Sequence, residues 1–211
     1  MSTKKLILIF LPFIILAAFA LFIRIVQYEP LFPKITEMGD KTVLQVPIYP
    51  EDPITGDKKA AVTIIAFEDF ACENCKLESE LLSTILKEHP NSIKIIWKIL
   101  PITRFPIDST LSAQYAYCAN QQGKFDIFKS YAFENGTNLS EEVLQTIVTQ
   151  IKLDDKKLNT CLEAAEGAPY LEATKTLAQA LHIQTLPTIF MNNKQIQAPK
   201  NIEGWKTLLG L

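Results

Sequence analysis

Residues 60–100 read AAVTIIAFEDFACENCKLESELLSTILKEHPNSIKIIWKIL, and this stretch decides the fold. Ala60 to Phe67 is a β-branched run of the kind found in strands buried on both faces. Cys72 to His89 follows, with Leu77, Leu81, Leu82, Ile85 and Leu86 spaced along one helical face. Pro90-Asn91 stops that helix. Ser92 to Leu100 reads as a second strand, closed by Pro101. Strand, helix and strand in that order make a βαβ unit, which demands parallel pairing.

Downstream, helical periodicity runs through Ser109–Gln121, Lys124–Asn135, Ser140–Lys152, Asp154–Glu166 and Ala168–His182. Gly123, Gly136 and Gly167 separate neighbouring segments. Ser140 is a good N-cap, with Glu141 and Glu142 on the positive end of the dipole. After Pro187 the β signal returns. Thr188–Asn192 and Lys194–Gln197 read as a hairpin across Asn192-Asn193. Asn201 to Leu209 closes the chain as a helix with Ile202, Trp205, Leu208 and Leu209 inward, and Gly210 stops it. Two β-rich blocks therefore flank a helical block, about residues 105–183. One sheet with a helical insertion explains this pattern, and the fold class is α/β.

Upstream, Tyr28 to Asp57 holds Pro30, Pro33, Pro47, Pro50 and Pro53. So many prolines make residues 27–57 an extended linker, with one short edge strand at Thr42–Val46. Residues 1–26 form a targeting segment. Lys4 and Lys5 precede an uncharged run from Leu6 to Ile23, about 27 Å long as a helix and close to a bilayer's hydrocarbon thickness. Ala18 and Ala20 offer a signal-peptidase pattern, but Leu21, Phe22, Ile23, Ile25 and Val26 continue the apolar character. That favours an uncleaved transmembrane anchor over a cleaved signal. The two lysines keep the N-terminus in the cytoplasm and export the domain at 58–211.

The whole chain has 211 residues, 21 basic and 23 acidic. That balance offers no basic field for a phosphate backbone, and nucleic-acid binding is not expected. Only 7 glycines are present, with no GxGxxG or GxxxxGK[ST] cradle. The 4 cysteines are Cys72, Cys75, Cys118 and Cys161.

The chemistry concentrates in Cys72-Glu73-Asn74-Cys75. A C-x-x-C opening a helix brings two sulfurs within bonding distance and sets the first over unpaired backbone N–H groups. The dipole stabilises a thiolate there, and the second cysteine, one turn inward, resolves a mixed disulfide. The alternatives are half of a structural zinc site and an inert disulfide. Cys118 and Cys161 form no second C-x-x-C, so no metal is expected.

FEDFACENCK (Phe67 to Lys76) and TLPTIF (Thr185 to Phe190) resemble the active-site turn and cis-proline loop of the thioredoxin fold. CANQQGKF (Cys118 to Phe125) and NTCL (Asn159 to Leu162) resemble patterns in the inserted helices of its DsbA-like branch. The resemblance covers about residues 58–211. It implies a thiol–disulfide oxidoreductase, with Cys72 and Cys75 as the redox pair and no cofactor. It also implies that Leu186 and a cis Pro187 seat an extended substrate by β-augmentation. The expected substrates are unfolded or partly folded exported proteins, and the expected partner is a membrane redox protein. The expected location is the bacterial inner membrane, with the catalytic domain in the periplasm as a monomer. A membrane-tethered reductase supplying thiols for haem or copper sites remains the alternative within the fold. A chaperone-like binding module with a fixed disulfide is the alternative outside it.

Some residues depart from the family pattern. Thioredoxins place a buried acid six positions before the first cysteine, and here that position is Ala66. The proton relay for Cys75 then falls to water, Glu68 or Lys98, or is absent, while Glu68 and Asp69 read foremost as solvated strand-end charges. Glu73 beside Cys72 opposes its thiolate and makes the disulfide less oxidising than a histidine there would. His89 and His182 read as helix-end caps. Cys118 and Cys161, in an exported chain with an even cysteine count, are expected to form a second disulfide, with two separate buried thiols as the alternative.

Overall fold

The structure, a computed structural model, describes residues 35–38 and 41–211, together with Leu16, Ala17 and Phe19, which are helical. The expected anchor at Leu6–Ile23 otherwise lies outside the described residues. No helix among the described residues is long and apolar enough to cross a membrane. The chain divides into two compact units, 1–32 and 33–211.

The second unit begins with a hairpin of β1 (Ile35–Met38) and β2 (Lys41–Leu44), where a single strand was expected. A five-stranded sheet follows in the order β3-β5-β4-β6-β7. Its strands are β3 (Ile54–Gly56), β4 (Val62–Glu68), β5 (Ile93–Ile99), β6 (Thr188–Met191) and β7 (Lys194–Ile196). β4 and β5 are parallel, with Ala66 opposite Trp97, and α1 (Glu73–Glu88) is their crossover. The βαβ unit read from the β-branched runs is therefore present. The β6–β7 hairpin turns through Asn192 and Asn193, whose φ of 49° and 65° are the left-handed values a two-residue turn needs.

The segment read as a spacer contributes to the body of the fold. β3 pairs antiparallel with β5, and Val46 and Asp52 are buried. Gly56 permits this, because its φ is +89° and a Cβ would stand 2.5 Å from the Ile93 carbonyl oxygen.

Both sheet faces are covered, which is why β4 and β5 each hold consecutive apolar residues, Ile64–Phe67 and Ile95–Trp97. Ile64, Ala66, Ile95 and Trp97 face one core with α1, the inserted helices and Trp205. Ile65, Phe67, Ile96 and Phe190 face a smaller core with Leu177 and Ala178. The insertion comprises α2 (Thr110–Gln121), α3 (Phe125–Asn135), α4 (Glu141–Gln150), α5 (Asp155–Glu163) and α6 (Ala168–Ala180). Ser140 caps α4 through its side chain, which accepts from Val143 N. The last helix, α7 (Ile202–Leu209), buries Trp205 completely but leaves Leu208 exposed, against the expected inward face. Leu77 on α1 is also exposed, against the same kind of expectation.

Candidate redox site

β4 ends at Glu68, and a short turn delivers the chain to Cys72, the N-cap of α1. Asp69 holds that turn. It is buried, and its carboxylate accepts from Ala71 N, Ile102 N, Thr103 N and Ser109 Oγ, the last three at 2.8 Å. The expectation of a solvated charge fails here, because four donors replace water around one carboxylate. Asp69 thereby pins the loop after β5 against the active-site turn.

Cys72 has extended backbone angles, as an N-cap requires, and its Sγ accepts from Cys75 N at 3.2 Å. That is the orphan helix-start donor expected to stabilise a thiolate. Cys72 and Cys75 are bonded, with Cα atoms 5.2 Å apart. Cys72 is half-buried and Cys75 wholly buried, so the leading sulfur is the more accessible of the two. Glu73 and Asn74 between them are exposed.

The Leu186–Pro187 bond is cis, and the Leu186 carbonyl oxygen lies 3.8 Å from Cys72 Sγ. Thr188 Oγ1 donates to Thr185 O and closes that loop. Beside it runs a groove of about 920 Å³, lined among others by Asn74, Leu77, Glu78, Pro187, Ile196 and Lys200. The exposed Leu77 belongs to this groove. The structure thus brings Cys72, Cys75, Leu186 and Pro187 to one place. Cys118 on α2 and Cys161 on α5 stand apart within the insertion, bonded to each other with Cα atoms 6.0 Å apart.

Two carboxyls are buried on the elements that carry the disulfide: Glu68 at the end of β4 and Glu78 one turn after Cys75 on α1. Glu68 is enclosed, and burial pushes it up to about 8, with the Lys129 charge opposing and Glu78 adding to the rise. Burial pushes Glu78 up to about 7, opposed by the nearby Trp205 indole, which stops short of a hydrogen bond. Oε1 of each carboxyl has no hydrogen-bond partner among the described residues. Lys129, from α3, donates to Ser79 Oγ at 2.7 Å and lies 3.9 Å over the Trp97 ring. Burial lowers its pKa against the pull of Glu68.

Lys98, the other relay candidate, is committed elsewhere. It is wholly buried, pairs with Asp52 Oδ2 at 2.5 Å and lies over the Tyr49 ring, while Tyr170 donates to Asp52 Oδ1. Burial raises Asp52 and lowers Lys98, each opposed by the other's charge. Sequence reasoning missed Glu78, Lys129 and the Asp52 partner. The available signal was a charged residue inside an apolar stripe. Glu78 sits one turn from Cys75 and Leu82, and Lys129 one turn from Phe125 and Phe133. Among the described residues, no group of three or more His, Cys, Asp or Glu side chains is placed to hold a metal ion.

The central parallel pair, the flanking antiparallel strands and a disulfide at the start of the crossover helix define a thioredoxin-type fold. The thioredoxin family model matches residues 49–210, and the chain belongs to that family. It is similar to disulfide bond formation protein D of Bacillus subtilis, 26% identical over 173 residues and covering 77% of each chain. It is also 26% identical over 161 residues to a Na(+)/H(+) antiporter NhaA 3 of Salinispora tropica. That match takes in 76% of this chain and only about a quarter, 24%, of the antiporter's length. Among solved structures, a thioredoxin-like oxidoreductase from Silicibacter pomeroyi superposes with a TM-score of 0.68 at 22% identity, covering 77% of this chain and 92% of that one. The thiol-disulfide exchange protein alpha-DsbA2 from Wolbachia pipientis gives 0.68 at 18%, covering 76% and 87%. These neighbours carry the fold of the DsbA-like branch.

Proposed function

We propose that this chain is an extracytoplasmic thiol–disulfide oxidoreductase that forms disulfides in exported proteins. The observation that carries the reading is the placement of Cys72. It is the accessible sulfur of a disulfide at a helix N-terminus, with a backbone N–H on its Sγ and the Leu186 carbonyl beside it. The similarity to a disulfide bond formation protein supports the oxidising direction.

A client thiolate attacks Cys72 Sγ, the Cys72–Cys75 bond breaks, and Cys75 leaves with the electron pair. A second client thiolate then attacks the client sulfur of the mixed disulfide and releases Cys72 as a thiolate. The client dithiol loses two electrons and the C-x-x-C gains them. The helix start stabilises the Cys72 thiolate and makes it the better leaving group. The groove beside Leu186 and Pro187 receives an extended segment of the client. A membrane redox partner returns the pair to the disulfide. The domain acts as a monomer held at the bacterial inner membrane by the apolar run Leu6–Ile23.

Equilibration with glutathione tests the direction. A potential well above about −200 mV marks an oxidase, and one near −270 mV marks a reductase. A value below about −300 mV marks an inert bond and rejects the enzyme reading. The exposed Glu73 favours the reductase as the second reading, because its charge opposes the Cys72 thiolate. Membrane fractionation with N-terminal sequencing tests the anchor, and a mature chain beginning at Leu21 would reject it.

A further inference from the structure

We propose that Glu78 is the group that gives a proton to, and takes one from, Cys75, with Glu68, itself paired in charge with Lys129, as its titratable neighbour. This rests on the oxidoreductase reading above. The usual buried acid is missing, because its place is Ala66, which is wholly buried opposite Trp97. Lys98 is held by Asp52. Glu78 stands three residues after Cys75 on α1, a spacing that brings their Cβ atoms to about 5–6 Å on one helix face. Its residue is 6% exposed, and Oε1 has no partner among the described residues.

Glu78 also lines the groove, so one end of the carboxyl region meets solvent while the other faces the core that holds Cys75. Glu68, equally buried on β4, does not line that groove. It serves as the neighbour whose charge depends on Lys129. The charged groups that face Glu78 are Glu68 on β4 and Lys200 in the groove wall before α7; Lys129 on α3 acts on Glu68 and donates to the adjacent Ser79, and Trp205 on α7 adds only an indole N–H. A carboxyl that burial raises to about 7 is matched to a proton exchanged near neutrality.

The proton balance closes within the site. When a client thiolate opens the disulfide, Cys75 leaves as a thiolate, protonated Glu78 gives it a proton, and groove water restores the acid. In the reverse step, the Glu78 carboxylate takes the Cys75 proton. The Cys75 thiolate attacks Cys72 in the mixed disulfide, and the bound thiol leaves as its thiolate.

Stopped-flow tryptophan fluorescence of the reduced protein with oxidised glutathione isolates this step. The phase whose rate is independent of glutathione concentration is the attack by Cys75. In the native protein its rate should rise with pH through an inflection near 7. Glu78→Gln should move the rise to the ordinary thiol range near 8.5 or above, and slow the phase at pH 7.5 by about a hundredfold, the lower end for a positioned acid–base group. Glu78→Asp should restore part of the rate, and the exposed Glu80→Gln should leave the profile unchanged. A Glu78→Gln profile that matches the native one overturns the relay and leaves the oxidoreductase reading standing. A native protein that shows no exchange with glutathione overturns both.

Discussion

Glu68 should make this domain less stable as pH rises, the opposite of an ordinary paired carboxylate. Its carboxyl belongs near 4.5 in the unfolded chain and is pushed to about 8 in the fold, chiefly by burial. Between those values the folded state keeps a proton that the unfolded state has released. Stability then falls by about 1.4 kcal/mol per pH unit, is complete below 4.5, and is lost as pH climbs through 8. The full window is worth of order 5 kcal/mol, an upper figure because any water reaching the site lowers it. Glu68→Gln isolates the effect. The amide keeps the shape and, at pH 5, the neutral state of the native group. The two proteins should therefore unfold at similar urea concentrations at pH 5, and the variant should be several kcal/mol more stable at pH 8.5. With a urea slope of about 2 kcal/mol/M, even half the full effect separates the midpoints by about 1 M. The assay is urea unfolding by circular dichroism with both disulfides oxidised, from pH 5 to 8.5. A constant difference between variant and native protein across that range would refute the reasoning, since it would place Glu68 in an ordinary ionised state.

Cys75→Ser should trap clients as mixed disulfides on gels run without reductant, and Cys72→Ser should trap none, because Cys75 is fully buried; trapping by Cys72→Ser alone reverses the roles. Lys98→Met strands the Asp52 carboxylate in the core and should cost about 3–5 kcal/mol at pH 7, shrinking as Asp52 is protonated at lower pH; a loss under about 1 kcal/mol would mean that water reaches the pair. Replacing Cys118 and Cys161 together by alanine opens a bridge of 43-residue separation and should lower stability by about 4 kcal/mol by loop entropy, with the glutathione equilibrium of Cys72–Cys75 unmoved; a shifted equilibrium would tie the two disulfides together.

The parts of the fold that were legible in the sequence are those where one local rule dominates. β4 and β5 are buried on both faces, so each holds consecutive apolar residues, Ile64–Phe67 and Ile95–Trp97, and α1 between them carries a plain stripe. Asn192-Asn193 announces its turn by chemistry alone. What stayed hidden depends on distant partners. The five prolines of residues 27–57 exclude a helix, yet they are compatible with β3 adding to the sheet edge, since that outcome is decided by β5 and by the close approach that Gly56 allows. Leu77 and Leu208 fit their helical stripes and are nonetheless exposed, because periodicity gives a face and not the width that neighbours cover.

The site divides along the same line. Cys72 and Cys75 are adjacent in sequence and need only a helix start, and Pro187 is marked by its TLPT setting, so both were readable. The charged groups behind them were not. Asp69, Glu68 and Glu78 are ordinary surface residues by type, and each becomes a buried carboxyl for a different reason. Asp69 is held by four donors from its own turn and the next loop, and Glu68 is enclosed near Lys129 of the insertion. Glu78 stands between α7 and the groove. Lys129 illustrates the point most sharply. It lies 54 residues after Cys75, on a helix of the insertion, and no local pattern joins it to the active site. Yet its ammonium reaches Ser79, one turn beyond Cys75. The insertion therefore does more than decorate the thioredoxin scaffold. It places a cation over Trp97, the strand partner of Ala66, where the usual acid is missing.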